Sequence, residues 1–510
     1  MELELVMTAV GNVFEPETFI TMIVGVVLGV LIGALPGLTA TMGVALLLPL
    51  TFGMAPLPGL LVLISVFFGA IYGGSIPAIL LKTPGTPAAA VTVIDGYELT
   101  KQGLGGRAMS ISIVSAVFGG LFSTTVLILV APQLAQVALR FNSPEYFALA
   151  LFGLSIIISL SSTASLSKGI MVGLFGILIS MIGVDPIIGV ARFTFGNINL
   201  LGGLSFIPIL IGIFAFAQVL VMIEELFMGK RSDPPMKIKS VFPRLSDLNR
   251  CKWTMLRSAT FGSLMGAMPG VGADISAYIS YNEERRWSKH RENMGNGEIA
   301  GVAAPETANS ATAGGSFIPL LTLGIPGDAV TAVILGALVM QGVRPGPALF
   351  TEQRELLYSI FSGMIVSNLL LLVVAFIGLR FFIKILSIKK EFLIPAVVVL
   401  CVIGAFAINN NIFDVWVMLI MGFIWYAVGK FGFPQSPLII ALILGPMAER
   451  EFRRSLVLSN GSYSIFWESP IVVVLVTLAM ITLFMPVLKP IFLKIFKPAK
   501  PASNGGQDNE

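Results

Sequence analysis

The stretch GALPGLTATMG, Gly33–Gly43, decides how this chain is read. It closes an apolar run, ITMIVGVVLGVLIGALPG, long enough to cross roughly 30 Å of hydrocarbon as a helix. Pro36 removes a backbone donor, and Gly33, Gly37 and Gly43 weaken helix propensity around it. Irregular backbone at membrane depth is tolerated only where protein buries it or water reaches it. A near copy, GAMPGVGADIS, runs from Gly266 to Ser276. A break made twice asks for a purpose.

Of the 510 residues, 55% are hydrophobic and 12% charged, too few charges to cover a soluble surface. Runs such as ISIVSAVFGGLFSTTVLILVA and SPIVVVLVTLAMITLFMPVL repeat the spanning length, so an all-α polytopic membrane protein is expected. The strands of a membrane barrel would alternate apolar and polar residues, and these runs do not. One histidine, His290, and two distant cysteines, Cys251 and Cys401, leave no His- or Cys-based metal pattern and no disulfide framework. No GxxxxGK[ST] phosphate loop occurs, and no nucleophile–base set points to an enzyme. No cofactor is expected. The net charge of +4 is small and reads as loop charge that orients the spans.

The two breaks belong to larger copies. At an offset of 233 residues, Gly29, Gly33, Ala34, Pro36, Gly37 and Ala40 match Gly262, Gly266, Ala267, Pro269, Gly270 and Ala273. A second pair follows: GGSIPAILLKTPGTPAAAV from Gly73 and GGSFIPLLTLGIPGDAVTAV from Gly314. There Pro77, Pro84 and Gly85 match Pro319, Pro326 and Gly327 at an offset of 242. Two motifs recurring in one order imply two repeats. The expected organisation is a first membrane repeat over 1–228, a basic cytoplasmic linker over 229–258, a second repeat over 259–488 and a cytoplasmic tail over 489–510.

Charge orients the copies. The second break lies between the basic linker and EERRWSKHRE, which begins at Glu283, so both its flanks read as cytoplasmic. That favours a re-entrant hairpin turning at Pro269-Gly270, although a single broken span also satisfies the length. The first break follows Glu2, Glu4, Glu15 and Glu17, and no Lys or Arg precedes Lys82, so it should enter from outside. Opposite flanks make the expected repeats inverted. The segment FPQSPLIIALILGPMAEREFRRS remains open between a span, a re-entrant element and a surface helix.

Each break is expected to end one half-helix and start another, whose free N–H groups and positive dipole end face the membrane midplane. Gly37, Thr39 and Thr41 in the first copy, with Gly270, Gly272, Asp274 and Ser276 in the second, are therefore candidate substrate ligands for an anion. The bland alternative is a packing kink, with Gly25, Gly29 and Gly33 as small-residue helix contacts. In the following turns Gly85 and Thr86 join the substrate set, Thr86 as an expected cap before Pro87. Lys82 reads either as a snorkelling charge or as a carboxylate partner. AAPETANSATAGGSF, Ala303–Phe317, is the most polar stretch within a spannable run. Its Glu306, Asn309 and Ser310, carbonyls freed by Gly314 and Gly315, and the Gly327-Asp328 turn are the expected site of a coupling cation, Na⁺ or a proton. An interhelical hydrogen-bond cluster is the alternative for this stretch.

These stretches together resemble the large permease subunit of the tripartite tricarboxylate transporter family over nearly the whole chain. GALPGLTATMGVALLLPLTFGM, YGGSIPAILLKTPGTPAAAVTVIDGYELTKQGLGGRA, GAMPGVGADISAYISY and EIAGVAAPETANSATAGGSFIPLLTLGIPGDAVTAVILGAL carry the resemblance. It implies a bacterial inner-membrane permease working with a small membrane subunit and a periplasmic solute-binding protein. Its substrates would be citrate and other di- or tricarboxylates, driven by a cation gradient. The resemblance supplies no residue code for the substrate. Another binding-protein-dependent carboxylate transporter or a stand-alone ion-coupled exchanger is the neighbouring alternative, and a passive channel a more distant one.

Overall fold

A computed structural model describes residues 2–35, 37–160, 166–185, 187–228, 243–386 and 390–495. Pro36 at the first break, much of the basic linker and the last residues of the tail therefore lie outside the described residues. The described first half begins with α1 (Glu2–Val13), α2 (Pro16–Ala34), α3 (Ala40–Leu47), α4 (Pro56–Gly73), α5 (Ser75–Leu81), α6 (Ala89–Lys101) and α7 (Gly105–Ala138). It continues through α8 (Ser143–Leu160), α9 (Leu166–Ser180), α10 (Phe206–Leu210), a wider π-helical turn at Ile211–Phe216, and α11 (Ala217–Phe227). The second half opens with α12 (Leu245–Ala267), α13 (Gly272–Trp287), α14 (Ala300–Leu323), α15 (Ala329–Met340), α16 (Leu349–Glu352) and α17 (Arg354–Ile385). α18 (Lys390–Asn409), α19 (Ile412–Gly429), α20 (Ser436–Leu458), α21 (Ile465–Glu468) and α22 (Pro470–Ile495) complete it. Among the described residues seven helical stretches are long and apolar enough to cross a membrane. This is a multi-pass, all-α membrane protein.

Small residues set the core. Cβ atoms on Gly25, Gly29 and Gly33 would fall on Val62, Val66 and Ala70 in step, so α2 lies parallel to α4 at backbone contact. In the same way Gly262 and Gly266 press α12 against Ala308 and Thr312 of α14. Without a hydrophobic drive between helices in lipid, such close approach is what holds them. The small-residue reading of Gly25, Gly29 and Gly33 is therefore met, but it accounts for the helix before the break and not for the break.

Both breaks are hairpins. Gly43 of α3 lies over Ile32 of α2, so the chain turns back between them. In the second copy Arg257 pairs with Glu284 at 2.6 Å and Ser280 donates to Ser258 at 2.6 Å, which folds α13 antiparallel onto α12. The two central helices then cross antiparallel. Phe67 of α4 meets Phe317 of α14 at 6.4 Å between ring centroids, while Ser75, just beyond α4, reaches Glu306 near the start of α14. α14 is buried along its length, and α7, α12 and α17 surround the pair.

Buried carboxylates lock α6 into this core. Asp95 is fully buried and accepts N–H groups of Gly295, Gly297 and Glu298 at 2.8–2.9 Å, plus the Tyr281 hydroxyl at 2.8 Å. Four donors to one carboxylate offset the cost of burying it. Two flanking groups complete the molecule: α20 packs with α8 and α9, and α19 with α18, α11 and the π-turn. After α9 a two-residue antiparallel ladder pairs Gly183–Val184 with Ala191–Arg192. Asp185 anchors that loop. It accepts N–H groups of Ile187 and Ile188 and a 2.6 Å ion pair from Arg453. These donors hold its carboxyl down at about 2.

Candidate functional site

The two breaks use one backbone device. After α2, Leu35 is extended and Gly37 takes φ +95°; after α12, Met268 is extended and Gly270 takes φ +84°. The left-handed φ is accessible to glycine and strained for other residues, which is why a glycine stands at both positions. Thr39 then caps α3, its Oγ1 accepting the Met42 N–H at 3.2 Å. α13 starts at Gly272 with no side-chain cap.

The following turns pack onto the breaks. The Gly85 N–H donates to the Gly74 carbonyl at 3.1 Å, and a Cβ on Gly85 would strike the Gly33 carbonyl. The Gly270 N–H donates to the Gly327 carbonyl at 2.8 Å, and a Cβ on Gly327 would meet the Gly266 carbonyl. Asp328 caps α15: its Oδ1 accepts the Thr331 N–H at 2.8 Å and the Thr331 hydroxyl oxygen accepts the Asp328 N–H at 2.9 Å, closing a capping box. Thr86 does not cap. α6 begins only at Ala89 with Ala88 at the cap position, because the Thr86 carbonyl accepts the Ala89 N–H in a preceding turn. The Thr86 hydroxyl is buried without a partner.

These elements enclose a cavity of about 260 Å³. Thr39 and Thr41 line it from the first break, Gly270, Gly272 and Asp274 from the second, and Thr86 and Asp328 from the turns. Asn309 of α14, Phe67 of α4, Phe214 of the π-turn, Gln435 and Ser436 also line it. Five helices begin at this wall: α3, α6, α13, α15 and α20. A helix offers its first-turn N–H groups no partner of its own; here caps and turns take those of Met42, Thr331 and Ala89, and the cavity still gathers positive dipole ends. Among the described residues no Lys, Arg or His side chain lines it. The Asn309 amide nitrogen, like the Thr86 hydroxyl, is buried without a hydrogen-bond partner.

Other expected residues lie elsewhere. Gly37 faces Gln218 and Met222. Ser276 and Ser310 are buried outside the lining, and Gly85 and Gly327 serve the close packing just described. The freed carbonyls expected at Gly314 and Gly315 are absent, since α14 runs unbroken from Ala300 to Leu323. Those glycines instead admit Ser123 of α7 and the Ser263 backbone of α12. Glu306 sits in a cage of hydroxyls: Ser75 and Ser112 donate to Oε2 at 2.6 and 2.9 Å, and Thr92 to Oε1 at 2.5 Å. Lys82 packs over the Tyr97 ring at 5.9 Å and has no carboxylate partner among the described residues. Sequence reasoning missed Phe214, Gln435 and Ser436. The Ser-Pro pair at 436–437 was the available signal, a helix start inside the segment left open.

A family model for the tripartite tricarboxylate transporter TctA family matches residues 19–440, a span that holds both breaks and every residue lining the cavity. The chain belongs to that family. It is thus the large subunit of a tripartite tricarboxylate transporter, and not an enzyme. An Agrobacterium vitis protein described as an uncharacterized 52.8 kDa protein in the TAR-I ttuC′ 3′ region is 38% identical over 456 residues, covering 89% of this chain and 90% of that one. A second protein of that organism, described as uncharacterized in the TAR-II ttuC′ 3′ region, is 39% identical over 230 residues, 45% of this chain and 95% of its own. No solved structure matches.

Proposed function

We propose that this TctA-family chain is the permease of a binding-protein-dependent, cation-coupled importer of di- or tricarboxylates such as citrate. It would work in a bacterial inner membrane with a small membrane subunit and a periplasmic solute-binding protein. The observation that carries the reading is the convergence of five helix N-termini on one cavity. Such ends attract carboxylates without a basic side chain. The substrate carboxylates would take N–H groups and hydroxyls of Thr39, Thr41 and Thr86, the Gly270–Gly272 backbone and the Asn309 amide.

Inverted-topology repeats fit the same picture. The helices that follow the two breaks, α4 and α14, cross antiparallel. Gly33 faces Ala70 where Gly266 faces Thr312, positions that correspond at the repeat offsets of 233 and 242 residues. Two related halves around a fixed midplane site are the arrangement that alternating access uses. The test is uptake into proteoliposomes holding both membrane subunits and the binding protein, with carboxylate, Na⁺ and pH varied independently. Carboxylate accumulation that collapses with the cation gradient is expected. Equilibration without accumulation would make the chain a passive pathway and defeat the proposal.

A further inference from the structure

The cavity is chemically lopsided along the repeat. At the offset of 233, Thr41 corresponds to Asp274; at 242, Thr86 corresponds to Asp328 and Phe67 to Asn309. All six residues line the cavity. The first repeat thus contributes two hydroxyls and a phenyl ring, and the second contributes two carboxylates and an amide at the same stations.

That difference sets a charge balance. A di- or tricarboxylate beside two aspartates brings about four to five negative charges, against at most about 2.5 from five helix ends of roughly half a charge each. No basic side chain lines the cavity, and neither aspartate has an ion-pair partner among the described residues. Asp274 is exposed, Asp328 half-buried and Asn309 buried, so the demand for a partner grows from the first of these to the last. Asp328 is already placed: Thr331 holds its Oδ1 and the carboxylate also takes the Val330 N–H, while the side chain lines the cavity. Asn309 is 2% exposed and its amide nitrogen has no hydrogen-bond partner, a donor available to the substrate, while a cation would take its Oδ1. Glu306 is occupied, since three hydroxyls take both its oxygens.

We propose that Asp274, Asp328 and Asn309 hold a small monovalent cation, Na⁺ by its preference for oxygen ligands, inside the carboxylate cavity. The cation lies on the second-repeat side, between the aspartates and the substrate, which takes the hydroxyl side. This rests on the reading of the cavity as a carboxylate site. It moves the coupling ion away from Glu306 and Gly314-Gly315 and makes ion and substrate mutual ligands. Linkage then requires that Na⁺ tighten substrate binding by the factor with which substrate tightens Na⁺ binding.

The experiment uses the purified full chain, with thermal unfolding followed in NaCl against choline chloride at constant ionic strength. Na⁺ is expected to raise the midpoint of the wild type, with at least a tenfold loss of apparent Na⁺ affinity in D328N and in D274N and none in E306Q. An unchanged Na⁺ response in both aspartate variants overturns the site, as does a response to acid in choline with none to Na⁺. A measurement that needs no variant guards against misfolding: citrate and malate titrations of the wild type by calorimetry at several Na⁺ concentrations. Affinity rising up to tenfold per tenfold Na⁺ supports the shared site. Carboxylate affinity indifferent to Na⁺ overturns it while leaving the carboxylate reading intact. Na⁺ stabilisation lost in D328N, with neither acid bound in any condition, keeps the ion site and removes the carboxylate reading.

Discussion

The two breaks share a backbone and differ in side chains. Leu35 and Met268 are both extended, and Gly37 and Gly270 both left-handed, yet one break leads into Thr39 and Thr41 and the other into Asp274. The turns behind them repeat the contrast, Thr86 against Asp328. Backbone equivalence builds the cavity, because only the matched glycine contacts bring both breaks to one place. Side-chain difference gives the cavity two halves. A pair of identical breaks would offer two anion ends and no place for a cation.

The comparison breaks most completely at the packing that makes the halves equivalent. Replacing Gly266 by Leu places side-chain atoms where the Thr312 carbonyl and the Ser316 N–H now lie. Backbone cannot yield there, so overpacking on the order of 3 kcal/mol or more is expected. Loss of folded protein in size-exclusion chromatography and of all uptake would follow, with Gly53, which meets nothing nearby, as the tolerant control. A milder change erases the side-chain asymmetry instead. T86D adds a third carboxylate to the hydroxyl half and is expected to lower carboxylate affinity by tenfold or more, measured by calorimetry, with folding preserved. D328T, its mirror, should weaken the Na⁺ dependence of binding while keeping a capped start to α15, since threonine also caps.

Smaller effects sharpen the contrast. Thr39 caps α3 and Thr41 does not, so T39A should cost about 1 kcal/mol of stability by the loss of a cap, and T41A less than half of that. Equal losses would show that the cap is not what starts the second half-helix. The Asp185 loop lies outside the cavity. Its carboxyl titrates at about 2, below the unfolded value, so the stability it contributes is present above the usual carboxylate range and is lost only as pH falls toward 2. Hydrogen exchange at Ile187 and Ile188 should therefore not change between pH 7 and pH 5 beyond the intrinsic rate. D185N should open those amides, with carboxylate binding unaltered.

Much of this was legible in the sequence because it is local. A proline flanked by glycines, a threonine before a helix, and an aspartate three residues before Thr331 each act within one turn of chain, and the repeat offset paired them. What was not legible depends on convergence. Phe214 and Ser436 reach the cavity from far along the chain, and no local signal says which helix start will face it. Glu306 looked like an ion ligand because it is expensive in lipid, but hydroxyls from three other helices meet that expense. Gly314 and Gly315 looked like breaks because glycine weakens a helix. Their neighbours α7 and α12 turn that weakness into close packing that keeps α14 straight.

The central claim is that the first and second breaks hold one carboxylate between them. Cysteine protection tests it directly, since the native Cys251 and Cys401 are both buried and give a quiet background. Thr41, Ala273 and Gly37 are replaced singly by cysteine in the full chain, and labelling by a small thiol reagent is timed with and without a panel of di- and tricarboxylates in Na⁺. The account predicts that one member of the panel slows labelling at positions 41 and 273 together and leaves position 37, which faces Gln218 and Met222, unchanged. Protection at position 41 without protection at 273, or equal protection at 37, would contradict it.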